Sequence, residues 1–276
     1  MKMVTQPTTD LLEAITAATM HEVILREQRC GMAKLEKKSI HTTPRGKEFR
    51  LSLTAGSGFN VIAECKRRSP SRGVLCADYR PELIARKYEH AGARAISVLT
   101  ESSFFDGNLR HLERVRLAVG VPVLQKEFIV SRYQLLEARA IGADAVLLIV
   151  AALSDDNLCA LHRAAAEYGL AVLVEVHDKE ELLRAVDAGS EIIGVNNRNL
   201  RSLSVNLEAS HSLITAMPKT VVAVAESGLR GRADLMSLKA AGYDAFLIGE
   251  ALMSQDDPGL ALAEFLQERG GTIEDG

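Results

Sequence analysis

The sequence lacks several features that mark specialised protein classes. It contains no tryptophan, so the protein has no intrinsic indole fluorescence. Its four cysteines lie far apart and form no CxxC pair, which argues against a disulfide framework and against a zinc site. In a chain of 276 residues with room for a large core, we expect four reduced thiols, as in a cytoplasmic protein.

Charge and hydropathy argue against two kinds of partner. The formal net charge is −3 and no basic run is present, so nothing indicates binding to nucleic acid. The longest apolar stretch, 145–153, has nine residues, about half of a membrane span. The first ten residues, MKMVTQPTTD, are too polar for a secretory signal. We therefore predict a cytoplasmic protein with neither a nucleic-acid nor a membrane partner.

Short apolar runs recur through most of the chain. From residue 58 onward, each β-branched run is followed by a polar turn and an amphipathic segment. The eight runs start at positions 61, 95, 122, 145, 171, 192, 221 and 245. Such runs are typical of strands buried on both faces, and the spacing leaves room for one crossover helix each. The pattern predicts an α/β fold, a single (β/α)8 TIM barrel, with an open doubly wound sheet as the alternative.

The first 57 residues do not belong to this repeat. Apolar residues at helical spacing predict one or two helices over 11–35, and a short helix is expected near 49–53. We therefore expect a helical amino-terminal extension, residues 1–57, joined to a barrel, residues 58–276, in one structural domain. Two placements stay open, because the extension could cover the bottom of the barrel or fold over its active-site end.

Polar residues end most of the apolar runs, at the place where such barrels have their active sites. Ionisable side chains end six of the eight runs, and asparagine and arginine close a seventh. These strand-end residues are Glu64, Lys66, Glu101, Lys126, Glu175, Asn196, Arg198, Glu226 and Glu250. Because an unpaired buried charge is costly, we predict a lysine–glutamate network at the mouth of the barrel. A functional site is favoured there over a structural ring of ion pairs.

Successive side chains of a strand point to opposite faces, so neighbouring residues at these strand ends face in different directions. Glu64 and Lys66 share a face, whereas Cys65 between them should point outward into the core. Glu127 has the opposite parity to the lysine before it, so we expect a solvated or supporting group. His177 is expected to be a loop histidine and not a catalyst.

Two glycine-containing turns predict a phosphate site. Ser227-Gly228 follows the seventh run and Gly249-Glu250 follows the eighth, where barrels commonly bind phosphate. Glycine allows backbone N–H groups to approach an anion, and a following helix amino terminus adds a favourable dipole. Glycine is common in such turns, so it is the coincidence at both strands that favours phosphate.

Six sequence blocks resemble those of the indole-3-glycerol phosphate synthase family. The first, IAECKRRSPSRG at 62–73, is similar to the family's long first-strand signature. The others are PVLQKEFI at 122–129, LVEVH at 173–177, GVNNRNL at 194–200, AESG at 225–228 and LIGEALM at 247–253. The resemblance runs in order through all eight predicted strands and includes the helical extension, which the family also has.

The resemblance implies a cofactor-independent carboxy-lyase of tryptophan biosynthesis, with no metal. Its substrate would be 1-(2-carboxyphenylamino)-1-deoxyribulose 5-phosphate, converted to indole-3-glycerol phosphate with loss of CO2 and water. By the family's motifs, Lys126 is the acid at the ribulose carbonyl, and we expect its pKa to be lowered toward neutrality in a cationic mouth. Glu175 and Glu64 correspond to the acid/base pair of the later dehydration.

The remaining site residues follow from the same motifs. Lys66 matches a lysine that holds the substrate carboxylate or assists proton transfers, while Asn196 and Glu226 match residues that bind hydroxyls and orient the lysines. Ser69 and Arg198 match positions near the anthranilate ring and the phosphate end. The phosphate-binding amides would come from Ser227, Gly228, Gly249 and Glu250. Many relatives carry serine at position 250, so we expect the backbone N–H to serve there while the carboxylate turns away.

Three other functions remain as alternatives. Phosphoribosylanthranilate isomerase uses a Cys/Asp pair at strand ends, whereas lysine and glutamate stand there in this chain. Ribulose-phosphate epimerase needs a metal, but the seven histidines show no ligand spacing. A barrel that only binds sugar phosphates would not need Lys126 and Glu175 together. We expect a small phosphorylated substrate, and a chain that is a monomer or a weak homodimer.

Overall fold

A closed barrel of eight parallel strands forms the centre of the molecule. The computed structural model describes residues 11–199 and 203–267. The strands are β1 (Asn60–Cys65), β2 (Ala95–Leu99), β3 (Val123–Lys126), β4 (Ala145–Ile149), β5 (Ala171–Val176), β6 (Ile192–Asn196), β7 (Val222–Glu226) and β8 (Ala245–Ile248). Each strand pairs with its sequence neighbour, and β1 also pairs with β8. This closure confirms the predicted (β/α)8 barrel and excludes an open sheet.

Helices precede the barrel and alternate with its strands. They are α1 (Leu11–Arg29), α2 (Met32–Ser39), α3 (Gly46–Ser52), α4 (Pro81–His90), α5 (Leu109–Ala118), α6 (Arg132–Ala140), α7 (Asp155–Glu167), α8 (Lys179–Asp187), α9 (Glu208–Leu213), α10 (Arg232–Ala241), α11 (Glu250–Met253) and α12 (Pro258–Leu266). Polar residues fix several starts: Ser131 and Asp178 accept N–H groups of the first turns of α6 and α8. After β1, Arg68–Ser69 and Gly73–Val74 form a small antiparallel pair.

The period of two divides the core into two layers. Outward-facing residues of the strands, such as Val61, Ala63 and Cys65, pack against the surrounding helices. Inward-facing residues, such as Ile62 on β1 and Leu124 on β3, fill the barrel interior. Cys65 is fully buried in the outer layer, as its parity predicted.

The amino-terminal helices reach both ends of the barrel. Leu12 and Ile15 of α1 pack in the interior cluster together with Phe128, which lies just beyond the carboxyl end of β3. Phe49 of α3 and Leu53 are completely buried in the same cluster. They lie at the opposite end, because the side chain of Asn60, at the start of β1, donates to the carbonyl of Leu53 at 2.8 Å. The two placements that the sequence left open therefore apply to different parts of the extension.

Three further features bear on the possible sites. None of the helices in the described residues is long and apolar enough to cross a membrane. All four cysteines are free thiols. Within 11–199 and 203–267, no group of three or more His, Cys, Asp or Glu side chains could hold a metal ion. Residues 1–10, on which the argument against a secretory signal rests, and Leu200 of the fourth block lie outside the described residues.

Candidate active site

A cavity of about 800 Å³ opens at the carboxyl ends of the barrel strands. The structure places all twelve predicted site residues in its lining. They are Glu64, Lys66, Ser69, Lys126, Glu175, Asn196, Arg198, Glu226, Ser227, Gly228, Gly249 and Glu250. Apolar residues complete the wall, among them Leu11, Leu12 and Ile15 of α1. A ligand here would meet charged groups at the strand ends and an apolar surface supplied by the extension.

The predicted lysine–glutamate network is present at the base of the cavity. Lys66 Nζ lies 2.7 Å from Glu64 Oε1, as their shared parity requires. Lys126 Nζ lies 3.5 Å from Glu175 Oε2 and 3.6 Å from Glu226 Oε2. The carboxylates of Glu175 and Glu226 are almost completely buried. Two lysines and three carboxylates, which lie on or directly after β1, β3, β5 and β7, therefore converge within one small space.

The expected lowering of the Lys126 pKa is wrong. Burial does lower this pKa, but the negative charges of Glu175, Glu226 and Glu64 outweigh it and raise the pKa above its ordinary value. The surroundings of Nζ are anionic, whereas the expectation assumed a cationic mouth. Lys126 is therefore fully protonated at neutral pH and holds a proton ready to donate.

The two carboxyl groups beside Lys126 have pKa values shifted in opposite directions. Burial raises the pKa of Glu226, and the charge of Glu175 adds to the effect, so that the value reaches about 8 despite Lys126. Burial also disfavours the charged form of Glu175, but the positive charges of Lys126 and His177 reverse the effect and lower its pKa. At neutral pH Glu226 is therefore mainly protonated while Glu175 is ionised. A pair with one protonated and one ionised carboxyl group can both donate and accept a proton.

Two glycines make room for these carboxylates. A Cβ atom at Gly194 on β6 would lie 2.0 Å from Glu226 Oε1. At Gly249 a Cβ would lie 2.3 Å from Glu64 Oε1. Because real Cβ atoms do not approach other atoms so closely, glycine at both positions is a steric requirement of the carboxylate positions. For Gly249 this requirement adds to the phosphate role that the sequence suggested.

The turn after β7 has an unusual backbone conformation. Ser227 and Gly228 both have positive φ angles, 64° and 80°, which cost a non-glycine residue conformational energy. A Cβ at Gly228 would lie 2.6 Å from Val205 Cγ1. A larger residue there would therefore displace Val205 and would not simply fill the cavity.

Asn197 holds this turn in place, although the sequence analysis assigned it no role. Its Nδ2 donates to the carbonyl groups of Glu226 and Ser227 at 3.0 and 3.2 Å. Its Oδ1 accepts from the backbone and hydroxyl of Ser210 at the start of the next helix. The available signal was its parity: next to the inward-facing Asn196, it points outward between strands.

An ion-paired rim surrounds the cavity opening. Glu250 pairs with Arg198 and with Arg72, each at 3.0 Å. The sequence led us to expect that the Glu250 carboxylate turns away from the mouth. In the structure it stays at the mouth instead. Two guanidinium groups, one from the loop after β1 and one from the loop after β6, neutralise it in place. An anion at this rim would find the same two arginines.

Two strand-end carboxylates do not join the network. Glu101 accepts the backbone N–H groups of Ser103, Phe104 and Phe105 and so shapes the loop after β2. Glu127 faces outward, as its parity predicted, but it is 4% exposed, so the suggestion of a solvated group is wrong. It pairs at 3.0 Å with Arg26 of α1. This ion pair attaches the extension to the strand end that carries the acid candidate.

The sequence comparisons with known proteins agree on one family. The model of the family described as indole-3-glycerol phosphate synthase matches residues 12–265. A protein of that name from Koribacter versatilis is 45% identical over 255 residues, covering 92% of this chain and 98% of its own length. One from Parafrankia sp. is 46% identical, covering 92% and 94%. Thiamine phosphate pyrophosphorylase from Pyrococcus furiosus, only 18% identical, shares the fold with a TM-score of 0.58 over 78% of this chain and 95% of its own.

Proposed function

Because the chain belongs to the indole-3-glycerol phosphate synthase family, we propose that the residues at the barrel mouth carry out the family's reaction in the roles set out below. The enzyme is a decarboxylating lyase of tryptophan biosynthesis that acts on a small phosphorylated substrate without a cofactor. These roles are supported mainly by the position of Lys126 between the buried carboxyl groups of Glu175 and Glu226, whose pKa values are shifted in opposite directions.

Lys126 donates the first proton in this proposal. Ring closure turns the ribulose carbonyl oxygen into an alkoxide, and a protonated Nζ beside that oxygen stabilises the developing charge and then transfers its proton. The raised pKa of Lys126 keeps the amine fully charged before reaction. An alkoxide is a much stronger base than a lysine amine, so the transfer remains downhill once the new bond forms.

Glu175 and Glu64 serve the later steps. After CO2 has left, formation of the indole requires loss of a hydroxyl group as water and removal of a proton from the ring system. Glu175 is ionised and buried, which suits a group that takes and returns protons in these steps. Glu64 forms the second member of the pair and is held by Lys66, which binds the substrate carboxylate or assists the transfers. Asn196 and Glu226 bind hydroxyl groups and orient Lys126.

The anionic end of the substrate lies toward the rim. Backbone amides of Ser227, Gly228, Gly249 and Glu250 form the phosphate cradle, and α11 begins directly after Gly249. Arg198 adds a positive charge there. Ser69, buried in the small antiparallel pair after β1, lies near the anthranilate ring.

The rim arginine gives a test of the phosphate position. Arg198→Gln should raise both KM and the inhibition constant for inorganic phosphate about tenfold, with kcat little changed, because one charge-assisted hydrogen bond is lost. Arg72→Gln removes the same charge and the same Glu250 partner from a side chain that is 68% exposed, so its effect should be much smaller. Inhibition by phosphate that stays at the wild-type value in Arg198→Gln would place the phosphate elsewhere.

The extension gives a second test. A chain lacking residues 1–45 loses the α1 wall of the cavity but keeps Phe49 and Leu53 under the barrel, so KM should rise several-fold because the substrate is less enclosed. Product fluorescence measures the rate without a protein tryptophan background. Should the truncated chain be insoluble, the full-length double variant Leu12→Ala, Ile15→Ala removes the same surface.

The opposite end supplies the matched control for the extension. Phe49→Ala should cost about 3 to 5 kcal/mol of stability and leave KM near the wild-type value, because Phe49 lies at the far end of the barrel from the cavity. A folded truncated chain with unchanged KM would show that α1 does not enclose the substrate.

We also propose that residues 1–57 and 58–276 form one structural domain, working in the cytoplasm as a monomer or weak homodimer. The domain assignment is supported by α3, which packs directly under the strands of the barrel. Four free thiols suit a reducing compartment. Sedimentation at micromolar concentration tests the oligomeric state.

A further inference from the structure

A histidine lies directly behind Glu175 and has no place in the mechanism above. His177 Nε2 is 3.5 Å from Glu175 Oε1, while Glu175 Oε2 faces Lys126. On its other side, His177 Nδ1 is 3.0 Å from Glu181 Oε2, which also accepts the backbone N–H of His177 at 2.7 Å. Of these groups, Glu175 lines the cavity and His177 does not. The three side chains therefore form a row that leads from Glu175 away from the substrate.

This arrangement favours a charged imidazole. Glu181 on α8 accepts the Nδ1 proton, so a neutral ring would direct the Nε2 lone pair at the Glu175 carboxylate. A protonated Nε2 turns that repulsion into attraction. Burial lowers the pKa of His177, but the hydrogen bond to Glu181 on α8 and the charge of Glu175 on β5 outweigh it and raise the pKa. Glu226 on β7 adds to this effect when it is ionised.

The reaction has a use for such a proton. The substrate loses its carboxylate as neutral CO2, and water leaves as well, so charge balance requires the uptake of one proton in each turnover. With substrate in the cavity and α1 over it, bulk water has poor access to Glu175. The side chains of His177 and Glu181 are each 15% exposed, so this row also has contact with the outside.

We propose that His177 is a proton reserve for Glu175, filled between turnovers and used once in each; this rests on the proposed role of Glu175. The 3.5 Å contact is not yet a hydrogen bond, so Nε2 first closes on Oε1. The Nε2–H bond then breaks, an Oε1–H bond forms, and the electron pair stays on Nε2. The ring becomes the neutral Nδ1–H tautomer that Glu181 holds, and Glu175 passes the proton to the reacting intermediate. Water restores the proton at Nε2 after product has left.

The pH dependence of kcat tests the proposal in the intact enzyme. His177 is protonated below its raised pKa and loses this proton as the pH rises through that pKa. Wild-type kcat should therefore fall across that range. In His177→Gln, kcat should be about 100-fold lower at neutral pH, the lower end for a positioned proton donor, with KM little changed. In this variant, kcat should no longer fall over the pH range in which His177 loses its proton in the wild type. His162→Gln, a half-buried histidine on α7, is the matched control and should behave as wild type.

Rescue separates a proton role from a structural one. His177→Ala leaves a space behind Glu175, and added imidazole should restore kcat in proportion to its protonated fraction. A wild-type pH profile in His177→Gln, or a loss of kcat in His177→Ala that imidazole does not restore, would overturn the reserve. Failure of the proposed Glu175 role is distinguishable, because Glu175→Gln would then remain active whatever happens at His177.

Discussion

Replacement of Lys126 by methionine should lower kcat by about 10² to 10⁴, the range contributed by a positioned proton donor. Methionine preserves the length and bulk of the side chain but cannot donate a proton to the ribulose carbonyl. Ring closure precedes loss of CO2, so neither CO2 nor indole should appear in a single turnover. KM should change little, because the cavity walls and the rim arginines remain.

The folded state of this variant has to be measured alongside its activity. Without Lys126, Glu175 and Glu226 lose their positive partner, so the pKa of each should rise and the pair should take up protons. Thermal unfolding and inhibition by inorganic phosphate show whether the cavity survives. Activity within a few-fold of wild type in a folded Lys126→Met enzyme would remove Lys126 from the mechanism.

Glu175→Gln should cost at least as much in kcat, about 10² to 10⁴, since glutamine keeps the size and hydrogen-bonding ability but exchanges no proton. Its effect falls on a later step than that of Lys126→Met. In a single turnover we therefore expect one equivalent of CO2 to be released while indole fluorescence stays low. The comparison of CO2 with indole distinguishes the two variants even where their kcat values are equal.

The same variant has a pH signature. The charge of Glu175 helps to raise the pKa of Glu226 to about 8, so removal of that charge should lower the Glu226 pKa. Any limb of the pH profile that reflects Glu226 should move toward lower pH in Glu175→Gln. A large rise in KM with unchanged kcat would instead identify Glu175 as a binding residue.

Which strand-end residues line the cavity could be predicted from the sequence, because this depends on local properties of the chain. Eight apolar runs, spaced widely enough for one crossover helix between each pair, predict the barrel. The alternation of side chains along a strand puts Glu64 and Lys66 on one face and Cys65 on the other. Parity also placed Lys126 inward and Glu127 outward. These rules follow from the geometry of the extended backbone, so the order of residues along the chain is sufficient to apply them.

Only the tertiary structure decided the electrostatics of the site and the placement of the extension. The direction of the Lys126 pKa shift depends on carboxylates that reach it from β1, β5 and β7. Glu250 keeps its position because arginines from two separate loops meet it. The buried Glu127 has a charged partner because Arg26, 101 positions earlier, reaches it. Charge interactions depend on distances in space, and such distances between remote segments are fixed when the barrel closes.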